Sequence, residues 1–161
     1  MGKQSAGILL YKGAEEGLEV LLVHPGGPFF RNRDLGWWTV PKGEPMPGEA
    51  LLKAAKREFE EETGYRPEGK FIALQPVVQK GGKIVQCWAV SGDLDPLTIV
   101  CNDFEFEWPP KSGRIKTFPE IDQARWFTLA EAEKYINERQ LALLNELAEI
   151  LKKEDQEDKP L

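Results

Sequence analysis

The chain has few of the residues that staple or ligate: two cysteines and one histidine in 161 residues. Cys87 and Cys101 stand alone without metal-ligand spacing, so each is read as a small buried hydrophobe rather than half of a disulfide. No stretch approaches the roughly 20 apolar residues that a membrane-crossing helix needs. Met1–Lys12 lacks the basic, apolar and small-residue order of a secretory signal, so it is read as part of the fold and the location as cytoplasmic. Positive charge is also short, with 21 Lys and Arg against 27 Asp and Glu, a formal net charge of −6. That balance argues against nonspecific binding to nucleic acid or an anionic membrane, and neither is an expected partner. A small polyphosphate stays open, because a divalent cation can reverse the charge of an acidic pocket.

What is present reads as one domain over 1–153, with a charged, apolar-poor tail over 154–161 expected to be disordered. Ser5–Tyr11 and Leu18–His24 are apolar runs of strand length, and Trp37–Val40 is a third, stopped by Pro41. Residues 42–48 (KGEPMPG) are read as a loop and Glu49–Thr63 as a helix, with Leu52, Ala55 and Phe59 on one face and Gly64 as the stop. Phe71–Gln79 and Lys83–Val90 are expected to pair across Lys80-Gly81-Gly82. Asn102–Trp108 alternates polar and apolar, as a half-exposed strand does. Pro109–Pro119 is read as a long loop and Ala124–Phe127 as a last strand. Thr128 caps a helix over Leu129–Asn137, with Glu131 in capping-box position, and a further helix spans Gln140–Lys152. Strands on both sides of a central helix, then two closing helices, predict an α/β fold with a mixed sheet between helices.

The chemistry is concentrated between Gly43 and Tyr65. Glu58, Glu61 and Glu62 fall at i, i+3 and i+4, which places three carboxylates on one side of a helix. Like charges at this spacing repel. One reading is an acidic solvated face; the other is a site for a hard divalent cation, which wants oxygen ligands. Magnesium shares its shell with water and substrate phosphates, so three carboxylates with open positions suit it better than a closed cage. The Gly-Pro-rich loop brings backbone carbonyls and Lys42 beside the helix. Glu49 is placed in the first turn, where the helix dipole favours a carboxylate. Arg57 can brace the ligands through Glu61 or Glu49.

These residues carry a resemblance to the Nudix hydrolase family. Its signature is a glycine, five residues, a glutamate, seven residues, then Arg-Glu-apolar-any-Glu-Glu-any-Gly-apolar. Gly43, Glu49, Arg57, Glu58, Phe59, Glu61, Glu62, Gly64 and Tyr65 fill every specified position. The one soft departure is Tyr65, where a branched aliphatic is more usual. The resemblance implies an α/β/α sandwich and hydrolysis of a diphosphate bond in a nucleotide-like substrate, with Mg2+ or Mn2+ as cofactor. It implies that Glu58, Glu61, Glu62 and the Gly43 carbonyl hold the metal, with Arg57 and Glu49 in support. Glu120, six residues before Trp126, matches the place of a further carboxylate, an added ligand or general base; Glu105 and Glu107 are the alternatives. Catalysis is thus assigned to Glu58, Glu61, Glu120 and Arg57.

Substrate choice lies outside the signature. Pro41-Lys42-Gly43 is similar to the diadenosine-polyphosphate and diphosphoinositol-polyphosphate branches, and an ammonium at Lys42 suits an extra phosphate. Arg31 and Arg33 in one loop, Lys111, Arg114 and Lys116 in another, and Lys80 and Lys83 at the hairpin are candidate phosphate contacts. Trp37, Phe29, Phe30 and Trp108 are candidates for base stacking, and His24 for a substrate hydrogen bond or a structural role. The leading expectation is a dinucleoside polyphosphate substrate. The alternatives are a nucleoside-triphosphate or nucleotide-sugar pyrophosphohydrolase and, in another class, a non-catalytic nucleotide sensor.

Overall fold

The computed structural model describes residues 3–13 and 17–157. A mixed sheet forms the centre. Strand β1 (Gln4–Lys12) runs parallel to β6 (Ile84–Ser91) and antiparallel to β2 (Glu19–Pro25), which in turn pairs with β9 (Ile121–Thr128). The short strands β3 (Lys42–Gly43), β4 (Ile72–Ala73) and β5 (Val77–Val78) add to β1 and β6. A separate antiparallel ribbon pairs β7 (Asp103–Glu107) with β8 (Ile115–Pro119).

β1 is central and buried on both faces, which is why its sequence is a continuous apolar run rather than an alternation. Ile8, Leu10, Leu21 and Val23 pack on Ala54, Ala55 and Phe59 of helix α1 (Leu51–Thr63). Leu9, Val20 and Leu22 meet the opposite layer, where α2 (Leu129–Tyr135) gives Ala132 and α3 (Leu141–Glu157) gives Leu143, Leu144 and Leu147. Each of these fully buried leucines contributes roughly 1.5–3 kcal/mol. The result is the expected α/β/α sandwich with a mixed sheet. Both cysteines are free, and Cys87 is buried. No helix among the described residues is long and apolar enough to cross a membrane.

Several local expectations need correction. Trp37–Val40 is not a strand: Trp38 bridges Ile136 and Thr39 bridges Val23. Buried Gln140 holds this segment, accepting from the Val40 amide at 3.0 Å and donating to Thr39 Oγ1 at 2.8 Å. Residues 42 and 43, read as loop, pair with β1. Phe71–Gln79 breaks into β4 and β5, because the Gln75 amide turns to Glu146 Oε1. Half of the supposed loop 109–119 is β8. The capping box of Thr128 and Glu131 is present, but α2 stops at Tyr135. Helix α3 continues through Glu157, past the expected end at Lys152 and into the stretch expected to be disordered. The rest of that tail, 158–161, lies outside the described residues, as do 14–16 of the expected turn.

Candidate active site

The site is set by which way α1 turns its side chains. Phe59 is fully buried in the core, and Glu62, three residues on, falls on the same inward side and is 8% exposed. Glu61 is turned further outward, its side chain 36% exposed, and Glu58 lies between them at 16%. Gly64, in the left-handed region at φ 79°, ends the helix directly after this turn.

β3 lies against the same turn. A Cβ on Gly43 would stand 2.1 Å from Glu58 Cδ, so the Glu58 carboxylate rests where any other residue would have a side chain. Lys42, beside it, is half-buried, and burial pulls its pKa down, with Lys83 adding to the effect and Glu62 opposing it.

Arg57 draws these groups together. Its Nε and Nη2 donate to the two Glu49 carboxylate oxygens, both at 2.9 Å. Nη1 donates to Glu58 at 2.9 Å and Glu61 at 3.2 Å, and Nη2 also to the Glu44 carbonyl at 3.1 Å. The guanidinium fork holds three carboxylates and a loop carbonyl at once, which a point-charge lysine does not match. Glu49 precedes α1 rather than standing in its first turn. Its carboxylate accepts from the Met46 amide, and Arg57 draws its pKa down to about 2.

The other acids are pushed the opposite way. Burial, then the Glu58 charge, lifts Glu62 to about 9. Burial also raises Glu58, against the pull of Arg57. Glu120 is raised by burial and then by Glu58, Glu61 and Asp103, which places it beside the helix acids although it lies 58 residues further along the chain. Glu105 and Glu107 are exposed on β7. Asp103 passed unnoticed in the sequence, where only its place in a polar–apolar alternation marked it.

This arrangement fits a divalent cation on one observation above all: Glu62 Oε2 is buried with no hydrogen-bond partner. An orphaned carboxylate oxygen among further acids calls for positive charge. Among the described residues, no three acidic, histidine or cysteine side chains already converge as a cage, since Glu58 and Glu61 lean on Arg57. The donor set matches an open site completed by other oxygens.

Several of the expected substrate residues line three cavities, whereas Lys42, Phe29 and Phe30 line none of them. Trp37, Lys80, Lys83 and Arg139 line one of about 630 Å3, next to the acids through the 3.4 Å ion pair of Lys83 with Glu44. His24, Arg31, Arg33 and Arg125 line a second of about 480 Å3. Arg31 and Lys116 share a third with Trp108. His24 is better explained as structural: it is buried, one ring nitrogen meets Asp122 Oδ1 at 2.8 Å, and the other meets the Arg33 carbonyl. Arg114 lies on the turn of the ribbon, outside all three cavities. Arg33 lies over the rings of Phe29 and Trp37, at 5.2 and 4.7 Å from their centroids.

Comparison with known proteins gives a consistent picture. A family model described as NUDIX domain matches residues 1–147. The mRNA-decapping protein g5R of African swine fever virus is 30% identical over 104 residues, which are 64% of this chain and 41% of that protein. The match thus spans about two-fifths of the viral relative. Among solved structures, a C. elegans Ap4A hydrolase binary complex superposes with TM-score 0.66 at 21% identity, covering 92% of this chain and 98% of the other. The NUDIX domain of Shewanella oneidensis NrtR, complexed with ADP ribose, gives 0.65 at 18% identity, covering 94% and 89%. At these identities the two structures are similar in fold.

Proposed function

The chain belongs to the Nudix family, and from that premise we propose that it is a pyrophosphohydrolase cleaving a P–O–P bond in a nucleotide-like substrate. Glu58, Glu61, Glu62 and the Gly43 carbonyl are assigned to a divalent cation, magnesium or manganese, with Glu120 as a further ligand or as the base. Bound there, the cation supplies Lewis-acid polarisation of the diphosphate and a more acidic water. The observation that carries this reading is the unpartnered, buried oxygen of Glu62 among raised carboxyls.

The chain's own residues have separable tasks. Arg57 and Glu49 hold Glu58 and Glu61 in place. Lys42, beside the loop, meets a phosphate of the substrate. In the reaction, water attacks phosphorus in line, the bond to the leaving phosphate oxygen breaks, and Glu58 or Glu120 takes the water's proton. The substrate class we favour is a dinucleoside polyphosphate, supported by Lys42 and by the 630 Å3 cavity that places Trp37 near three cations.

Replacing Glu61 or Glu62 with Gln is expected to cut turnover at least 100-fold with the fold intact; wild-type turnover in both variants defeats the assignment. Product analysis settles the class. ATP released from a symmetric dinucleoside tetraphosphate supports it, whereas pyrophosphate with a monophosphate from a nucleoside triphosphate favours the alternative.

A further inference from the structure

The β7–β8 ribbon has two chemically different faces. Cross-strand partners share a face in an antiparallel pair, so the register sorts the residues. One face carries Phe104 opposite Phe118 and Phe106 opposite Lys116, with Trp108 continuing the row. The other carries Asp103, Glu105 and Glu107. The aromatic rings form a ladder, with Phe104 and Phe106 centroids 6.3 Å apart and Phe106 and Trp108 stacked at 6.4 Å. Phe104 docks the ribbon on the body, sitting where a Cβ on Gly27 would be 2.9 Å from its ring.

Between this face and the loop after β2 lies a cavity of about 390 Å3 lined by Arg31, Trp108, Lys116, Phe118 and Asp122. Among the described residues neither Arg31 nor Lys116 has an ion-pair partner. The acid in the lining, Asp122, is engaged by His24. The cavity therefore offers a half-exposed indole and two uncommitted cations in a protein of net charge −6. Pro119 also lines it, and Glu120 is the next residue along the chain.

We propose that this cavity is a subsite for one nucleoside end of the substrate, with the base stacked on Trp108 and its phosphate between Arg31 and Lys116. An aromatic platform flanked by cations is the chemistry that recognises a nucleobase joined to phosphate. The net charge of −6 opposes a long polyanion, and a cavity of about 390 Å3 suits a small nucleotide. The inference rests on the nucleotide reading above, and it extends that reading to residues outside the signature.

The test is equilibrium binding of AMP and of ribose 5-phosphate to the full chain in EDTA, by calorimetry. AMP is expected to bind at least about tenfold more tightly than ribose 5-phosphate. Trp108→Leu removes that advantage and leaves ribose 5-phosphate unchanged, Trp108→Phe restores most of it, and Arg31→Ala weakens both ligands. In the wild-type chain, AMP shifts the Trp108 indole N–H resonance, a readout that holds even where Trp108→Leu fails to fold. AMP affinity unchanged by Trp108→Leu, or an indole resonance indifferent to AMP, overturns the proposal. Stacking of AMP without hydrolysis of any diphosphate would retain the subsite and remove the reaction. Hydrolysis with a KM unaltered by Trp108→Leu would retain the reaction and remove the subsite.

Discussion

Glu62→Gln is expected to make the cation-free protein more stable while abolishing its turnover. Glu62 has an ordinary pKa of 4.5 and is lifted to about 9 in the fold. Between these values the folded chain keeps a proton that the unfolded chain has released, so folding stability falls as pH rises through the window, by about 1.4 kcal/mol per pH unit. From 4.5 to pH 8 the slope sets a ceiling of about 5 kcal/mol, and local opening that admits water relieves part of it. Glutamine keeps the shape and has no such proton to lose. In EDTA at pH 8 the variant is therefore expected to be more stable by about 2–5 kcal/mol, and at pH 5 to match the wild type closely. For a chain of this size that is a rise in Tm of roughly 5–15 °C. Magnesium should then narrow the gap, stabilising the wild type by about 2.7 kcal/mol at one hundred times its Kd and the variant far less. Thermal melts from pH 5 to 8.5, with EDTA and with magnesium, measure both effects. Parallel pH profiles for the two proteins, or a variant less stable than wild type at pH 8 in EDTA, would refute the reasoning.

Three further outcomes follow from the same geometry. Gly43→Ala places a methyl 2.1 Å from Glu58 Cδ, the movable end of a side chain, so circular dichroism should be unchanged while kcat falls at least about 100-fold. Arg57→Lys keeps the charge and loses the fork that holds Glu49, Glu58 and Glu61, and kcat/KM is expected to drop about 10- to 100-fold; steady-state kinetics within twofold of wild type would count against the brace. Gln140→Leu orphans the Val40 amide and should lower stability by about 1–3 kcal/mol, seen as a lower denaturant midpoint at unchanged slope.

The parts legible in the sequence were those in which one residue's neighbours along the chain decide its surroundings. The capping box at Thr128, the buried run of β1 and the three glutamates at helical spacing are of this kind. What escaped reading depends on a distant partner. Lys42 and Gly43 sit among prolines and glycines, yet they become a strand because β1 is alongside to receive them. β8 has no core signature, since its ribbon is largely exposed and is fixed by β7 across the turn. Trp37–Val40 has strand composition, but Gln140, a hundred residues further on, takes the Val40 amide. His24 makes its side-chain contacts with Asp122, 98 residues further on, and with the Arg33 carbonyl.

Glu62 was readable in principle. Leu51, Ala55 and Phe59 step along the core side of α1, and three residues on, where the period asks for an apolar residue, stands a carboxylate with a buried, unpartnered oxygen. A solvated acidic face would have turned that glutamate outward with Glu61. A helix that spends a core position on an acid gives up stability there, and a function requiring charge at that point is the physical reason to do so.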